Sequence, residues 1–224
     1  MNSIFEIFKI GIGPSSSHTV GPMKAARLFI DKFSHGEYEK INSINIHLFG
    51  SLAHTGKGHN IDKGLVLGLS GYKPELVTNK DIDEAYNLVV SKNILKLDSE
   101  KEIEFNVERN ILFNIDEKLT ENSNKMIFEA FDKNLERICL GKYISIGGGF
   151  IKDEELSNNL NGLKTDFTFQ YNSCSDLISL CAENNFSIHE LTLKNEVKFK
   201  TEQEIRSDLI KIWNVMNDSI ENGI

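Results

Sequence analysis

The clearest alternation of apolar and polar positions covers residues 43–49, where Ile44, Ile46 and Leu48 are separated by polar side chains. A period of two residues predicts a strand with one buried face. Apolar positions three and four residues apart predict helices at about 19–33, 61–69, 81–91, 173–184, 187–195 and 202–222. Shorter apolar segments predict further strands at 103–107, 111–115, 125–131, 137–146 and 150–153.

This order of elements predicts an α+β fold, with a mixed sheet and helices packed on one side of it. Polar turns separate the segments between residues 103 and 146, so we expect them to form a meander of consecutive strands. We expect an α+β core at about 1–165 and a helical extension at about 170–224. The Asn-rich stretch at 157–163 lies at the boundary between the two parts.

Composition and charge narrow the class of protein. The 224 residues are 40% hydrophobic and 26% charged, which is ordinary for a globular protein with a sizeable core. A net charge of −8 without a cluster of Lys and Arg argues against a nucleic-acid partner. No segment has the pattern of a signal peptide or the length of a membrane span. We therefore expect a cytoplasmic protein with no membrane partner.

The densest group of reactive side chains lies in residues 11–26, GIGPSSSHTVGPMKAA. Pro22 fits a first helical turn, so we expect the helix to begin between Ser17 and Pro22. The candidate caps are Ser17, Thr19 and Gly21. Hydroxyls and free backbone N–H groups at a helix start suit a carboxylate or a phosphate, and His18 can change charge near neutral pH. A serine-rich loop with an ordinary helix cap is the alternative.

A second polar stretch, GSLAHTGKGHNIDKG at residues 50–64, follows the predicted strand. Loops between a strand and a helix often carry the sites of α/β proteins. Lys57 lies between two glycines and could reach an anion, while His59 is a candidate base that Asp62 could orient. Alternatively, His54 and His59 are solvated loop residues with no role in chemistry.

Three successive glycines at residues 147–149 form the third unusual stretch. Glycines weaken a strand, so a run of them directly after one indicates a special need of the backbone. Close approach to a ligand or to another domain is one interpretation, and a bulge before the next strand is the other.

Together these three stretches closely resemble the N-terminal β domain of bacterial iron–sulfur L-serine dehydratases, and the resemblance extends along essentially the whole chain. It implies a fold similar to the allosteric substrate-binding domain of some phosphoglycerate dehydrogenases. It also implies deamination of L-serine to pyruvate and ammonia by β-elimination, assisted by a [4Fe–4S] cluster. In that chemistry His59 is the base, with Lys57 and Asp62 setting its electrostatics. The substrate-binding residues that the resemblance implies are Ser15, Ser16, Ser17, His18, Thr19, Gly148 and Gly149.

The sequence departs from the family at two positions and contains no cluster motif. The family typically reads Gly-Lys-Gly-His-His/Gly-Thr-Asp where this chain has Asn60 and Ile61, so the role of the missing hydroxyl is in doubt. The cysteines Cys139, Cys174 and Cys181 lack the spacing of cluster ligands, and we expect them to be packing residues. In the family the cluster cysteines belong to a separate α domain, so we expect no metal in this chain.

The resemblance also implies the partners of the chain. We expect L-serine as substrate, the catalytic α domain as partner, a homodimer, and no activity without the α domain. The chain looks like the β domain alone, and excision from a longer chain is the preferred explanation over a separate subunit. An alternative from another class is a stand-alone serine-sensing, regulatory or interaction module. A phosphate-binding enzyme that uses the serine-rich helix start is a third possibility.

Overall fold

The computed structural model describes residues 3–34, 36–98, 100–116, 124–155 and 166–224. The strands are β1 Ser43–Phe49, β2 Ile94–Leu97, β3 Lys101–Glu104, β4 Ile111–Asn114, β5 Lys125–Phe131, β6 Arg137–Gly147 and β7 Phe150–Asp153. The helices are α1 Ile4–Ile7, α2 Gly21–Ile30, α3 Ser51–Thr55, α4 Ile61–Leu69, α5 Asn79–Lys92, α6 Val107–Asn110, α7 Cys174–Asn184, α8 Ile188–Glu196 and α9 Glu202–Glu221. A π-helical turn at Ser16–Val20 leads into α2, and 3₁₀ turns lie at Tyr38–Lys40 and Gly56–His59. The Asn-rich boundary predicted at 157–163 lies outside the described residues.

The described chain divides into two compact units. One contains the described residues within 11–160, and the other contains those within 1–10 and 161–224. The larger unit holds all the strands named above and helices α2 to α6, whereas the smaller unit contains α1 and α7 to α9.

Within the described residues, the larger unit is built on a five-stranded sheet in the order β4-β1-β5-β6-β7. Strand β1 pairs parallel to β4, and the other neighbouring strands pair antiparallel. The prediction of an α+β fold with a mixed sheet is therefore confirmed. The predicted meander is wrong, because β1 lies between β4 and β5. Strand β3 pairs instead with β2, which the sequence pattern did not predict, in a separate two-stranded ribbon.

The sheet buries one face under α2. Ile44, Ile46 and Leu48 alternate along β1 as predicted, and all three are fully buried. Phe128 of β5 pairs with Ile46 across the sheet, and its ring stacks on that of Phe29 from α2 at a centroid distance of 5.3 Å. This aromatic contact attaches α2 to the buried face, and aromatic pairs add about 1 kcal/mol to the burial itself.

Helices α2 and α4 pack together because α4 carries small residues where they meet. A Cβ atom on Gly68 would overlap the carbonyl oxygen of Met23, and one on Gly64 would lie 2.7 Å from the carbonyl oxygen of Thr19. Neither position accepts a side chain without moving the backbone. The close packing brings together the two polar stretches that precede these helices in the sequence.

The described part of the smaller unit is helical, and α7, α8 and α9 begin with reciprocal caps. Ser173, Ser187 and Thr201 cap α7, α8 and α9, and in each case the acidic residue three positions later bonds back to the cap. Glu196 at the end of α8 is 3% exposed and accepts hydrogen bonds from the Ser3 hydroxyl and the Ile4 N–H. Through these hydrogen bonds the buried carboxylate connects the N-terminal segment to α8.

Candidate functional site

The serine-rich stretch begins its helical turn earlier than the sequence suggested. The Ser15 hydroxyl caps the turn at Ser16–Val20 by accepting from the His18 N–H at 3.1 Å. The expected cap at Ser17, Thr19 or Gly21 is therefore wrong, because the turn and α2 form one continuous helical segment. Pro22 lies at the start of α2, where the π-helical turn passes into the α-helix, and it has no N–H to donate to the preceding turn.

His18 is held at both ring nitrogens. Its Nδ1 lies 2.8 Å from the Ser17 hydroxyl, and its Nε2 lies 2.9 Å from the hydroxyl of Ser51, the first residue of α3. Burial lowers the pKa of His18 below its usual value, the nearby His59 lowers it further, and a hydrogen bond to Ser51 opposes them. The imidazole is thus disposed to be neutral near pH 7.

His59 lies beside His18, with its ring centroid 5.1 Å away. Its Nδ1 is 2.8 Å from the carbonyl oxygen of Thr55. A carbonyl oxygen can only accept a hydrogen bond, so Nδ1 carries the proton in the neutral ring. The lone pair of a neutral His59 is therefore at Nε2, and no described residue is bonded to that atom. The geometry suits a proton acceptor.

Thr19 connects the two polar stretches. Its hydroxyl donates to the backbone carbonyl oxygen of His59 at 2.6 Å and accepts from the Ser15 N–H at 3.3 Å. The side chain is fully buried. Thr19 therefore contacts protein on all sides, and its hydroxyl is used within the fold.

Ser16 and Ser17 differ in what their side chains do. Ser16 is exposed, and its hydroxyl has no partner among the described residues. Ser17 contacts His18 through its hydroxyl, and its carbonyl oxygen accepts from the Ser145 hydroxyl of β6 at 2.8 Å. Ser16 is thus the serine of this stretch whose hydroxyl is free for a ligand.

Lys57 and Asp62 line a cleft of about 760 Å³, and neither His18 nor His59 is among the residues that line it. Asp62 accepts a hydrogen bond from the Tyr86 hydroxyl of α5, and the Lys57 amine lies 5.2 Å from the ring centroid of Phe113. In the described part of the chain, neither Lys57 nor Asp62 forms an ion pair or a hydrogen bond with His59. The contact that orients His59 comes from Thr55, not from Asp62.

The glycine run forms the turn between β6 and β7. Gly147, Gly148 and Gly149 have φ values of +93°, +59° and +74°, which disfavour residues with a side chain. The pairing of β6 with β7 shifts by one residue at this turn. Gly149 lines a shallow depression beside Lys24, and no described contact joins Gly148 or Gly149 to the histidines. The turn geometry alone accounts for the glycines, and their predicted contact with substrate stays a prediction.

The two departures from the family pattern have structural reasons. Asn60 adopts a left-handed conformation, with φ of +53°, at the start of α4. Asparagine is among the few residues with a side chain that tolerate this conformation. Ile61 is fully buried, and its Cγ2 atom would lie 2.9 Å from a Cβ atom on Gly56. A side chain at position 61 therefore faces the core.

All three cysteines are free thiols. Cys139 is half-buried on β6, whereas Cys174 is exposed and Cys181 buried on α7. Over the described ranges, no three His, Cys, Asp or Glu side chains come together in a way that could hold a metal ion. The residues present therefore do not fit a cluster that needs several cysteine ligands.

Three contacts at the site were not anticipated from the sequence. The Ser51 hydroxyl is hydrogen-bonded to the His18 ring, and the Ser145 hydroxyl donates to the backbone carbonyl oxygen of Ser17. The Tyr86 hydroxyl donates to the Asp62 carboxylate. Each partner lies at least 24 residues away in the sequence. Of these three partners, only Ser51 could have been suspected from the sequence, because it is the first residue of the helix that follows β1.

A family model for the serine dehydratase beta chain matches residues 3–156. The chain belongs to the serine dehydratase β chain family. Among its relatives, the L-serine dehydratase TdcG of Escherichia coli is 39% identical over all of this chain, and an L-serine dehydratase of Streptomyces coelicolor is 35% identical over 99% of it. An L-serine dehydratase of Helicobacter pylori is also 35% identical over 99% of the chain.

The chain spans about half the length of these relatives, between 48% and 50%. The family match includes both polar stretches and the glycine run, since all three lie within residues 3–156. None of the helices in the described residues is long and apolar enough to cross a membrane.

Proposed function

We propose that this chain forms one wall of the active site of an L-serine dehydratase, an L-serine ammonia-lyase. The observation that carries the proposal is the pairing of a neutral His18 with a His59 whose Nε2 is available, within a chain of this family. In the overall reaction, serine loses its Cα proton and its β-hydroxyl as water to give 2-aminoacrylate. Tautomerisation and hydrolysis of that product give pyruvate and ammonia.

His59 acts as the base in this proposal. The Thr55 carbonyl fixes the proton on Nδ1 and so directs the lone pair of Nε2 at the substrate. A positioned base of this kind contributes about a hundred- to ten-thousandfold to a proton transfer. Lys57 lies two residues before His59 and Asp62 three residues after it, and in this proposal they supply the charges nearest to the base in the sequence without bonding to its ring.

The serine-rich turn binds and orients the substrate. Ser16 offers a free, exposed hydroxyl, and Ser17 and Ser51 fix the neutral His18 ring in the turn by bonding both of its nitrogens. Ser15 fixes the turn by its cap. We assign the substrate carboxylate to this turn, since hydroxyls and N–H donors suit an anion. Thr19 is buried, and so it positions His59 and does not contact the substrate.

The [4Fe–4S] cluster implied by the family belongs, in this proposal, to the α domain. The described residues of this chain do not fit it, and no step above depends on it. The α domain of the same enzyme is then the partner that completes the site, and a homodimer is the proposed assembly. A cluster, where present, supplies a Lewis acid for the leaving hydroxyl.

The test is an anaerobic reconstitution with iron and sulfide, followed by a pyruvate assay with L-serine. This chain alone is expected to bind negligible iron and to form no pyruvate, while the chain mixed with the α domain of its enzyme is expected to form pyruvate. Pyruvate from the chain alone would show that it is itself the catalyst. A mixture that assembles and carries its cluster, yet forms no pyruvate, would overturn the proposal.

The regulatory alternative predicts a different binding result. A serine-sensing site contained wholly in this chain would bind L-serine without the α domain, and calorimetry on the isolated chain would detect it. Half of an active site is expected to bind L-serine weakly, with a dissociation constant above about 1 mM.

A further inference from the structure

The cleft that contains Lys57 and Asp62 is separate from the histidine pair. It lies between α5, α6 and β4, and neither His18 nor His59 is among the residues that line it. Its volume of about 760 Å³ is in the range of pockets that hold small ligands, which is about 300–1,000 Å³. The proposed chemistry uses only Lys57 and Asp62 of its lining and leaves the cleft itself without a role.

One side of the cleft is apolar. Val89 of α5 and Ile111 of β4 are buried at its base, and Phe113 of β4 is half-buried beside them. Val90 lies at its rim and is 59% exposed. Apolar side chains around a concave surface favour a ligand with an apolar body, because such a ligand removes them from water.

The charged groups of the cleft are Lys57, Asp62 and Glu108. Lys57 forms no ion pair within the described residues, and its amine is placed over the Phe113 ring at 5.2 Å. Asp62 already accepts from the Tyr86 hydroxyl. Among the residues that line the cleft, Lys57 is the one cation and Asp62 and Glu108 are acidic, so a ligand carboxylate with an apolar body has Lys57 as its one charge partner there.

An amide adds a second donor to the cleft. The side-chain oxygen of Asn93 accepts from the Asn106 amide at 2.7 Å. The amide hydrogens of Asn93 have no partner in the part of the chain that the structure describes. They are therefore available to a polar group of a ligand, such as a carboxylate or keto oxygen.

We propose that this cleft binds a small carboxylate with a branched or aromatic apolar body, whose carboxylate pairs with Lys57 and whose body packs against Val89, Ile111 and Phe113. Either a 2-oxo acid or the corresponding amino acid has this chemistry. L-Serine lacks the apolar body and does not meet the requirement. The inference concerns binding alone, so it can fail or succeed independently of the proposed dehydratase chemistry.

The test is a titration of the ¹⁵N-labelled chain followed by NMR, with 4-methyl-2-oxopentanoate and L-leucine as probes. The expected result is a saturable change in the amide signals of Val89, Val90 and residues 111–113. Stronger binding of the oxo acid identifies the ligand as a 2-oxo acid, and stronger binding of leucine identifies it as an amino acid. Acetate, which has no apolar body, is expected to bind at least tenfold more weakly than either probe.

Single substitutions test how much the charge of Lys57 and the apolar rim each contribute to binding. Lys57→Met is expected to weaken binding at least tenfold, because it removes the cation. Val90→Glu adds a negative charge at an exposed rim position and is expected to weaken binding similarly. Lys63→Met is the matched control: its amine lies over the neighbouring Tyr86 ring but does not line the cleft, so binding should be unchanged.

Three results would overturn the inference. The first is no saturable change with either probe at 10 mM, a concentration about tenfold above the weakest dissociation constant that would be meaningful. The second is a change confined to residues around His18 and His59. The third is equal binding by the Lys57→Met variant and the unmodified chain.

Discussion

The hydroxyl of Thr19 donates to the backbone carbonyl oxygen of His59 at 2.6 Å, and the two residues are 40 positions apart in the sequence. This bond joins the serine-rich turn to the stretch that carries the proposed base. The same hydroxyl accepts from the Ser15 N–H, so one buried side chain serves two backbone groups. The geometry of the histidine pair depends on this link.

Thr19→Val keeps the shape of the side chain and removes the hydroxyl. Two backbone groups then lose their partner inside the protein, and we expect unfolding to become easier by about 1–3 kcal/mol. Thr192→Val is a suitable control, because the Thr192 hydroxyl bonds a carbonyl on an exposed helix surface. Urea denaturation of both variants measures the difference, and equal stability of the two would contradict the assigned role.

The lowered pKa of His18 can be measured by NMR titration of the ring C–H signals. We expect a value below 6.5, with burial as the main cause and His59 as the second. His59→Gln should raise the pKa of His18 without bringing it fully back to 6.5. His54→Gln, at an exposed position in the same stretch, should leave it unchanged. An unaltered value in the His59→Gln variant would show that the two rings do not interact electrostatically.

The same shift predicts how stability depends on pH. The folded state binds a proton on His18 less readily than the unfolded state does. The stabilising contribution of His18 to the folded state is therefore fully present above pH 6.5. It is lost as the pH falls through 6.5 toward the lower pKa of the folded protein. Replacing His18 with Gln should flatten this part of a stability profile from pH 7.5 to 5. A profile that keeps the same slope in the variant would assign the effect to other groups.

Gly68 is predicted to be intolerant of any side chain. Gly68→Ala would place a Cβ atom against the Met23 carbonyl and the Ala26 side chain, and we expect a loss of about 3 kcal/mol in stability. Gly58→Ala is the control, since a Cβ atom there meets no atom within 4 Å and should change stability by less than about 0.5 kcal/mol. Thermal unfolding of the two variants compares them directly. Similar melting temperatures would mean that α2 and α4 separate easily.

Local patterns in the sequence were sufficient to predict the bounds of some individual strands and helices. Strand β1 and helix α4 have the predicted bounds, because seven alternating residues and nine residues with helical spacing carry their own signal. The parallel pairing of β1 with β4 joins Ile46 to Ile111, and no local pattern encodes a contact at that separation. Edge strands and sheet order are set by packing across the whole unit.

In the candidate site, too, local sequence patterns predicted some features, whereas others depend on packing between distant segments. The two polar stretches could be recognised, because serine, histidine and lysine among glycines are unusual in sequence. Their juxtaposition follows from the packing of α2 on α4 at Gly64 and Gly68, which the sequence analysis did not predict. The grouping of Lys57 and Asp62 with Tyr86 depends on which side of α4 faces α5. The sequence alone does not place Tyr86 there.

The role of His59 as the base is tested most directly by turnover of L-serine in the complete enzyme carrying His59→Gln, with His54→Gln as the control. We expect kcat to fall about a thousandfold in the His59 variant and to change less than about twofold in the control. The iron content and the melting temperature of both variants should match the unmodified enzyme. A His59→Gln enzyme that forms pyruvate at nearly the unmodified rate would show that His59 is not the base.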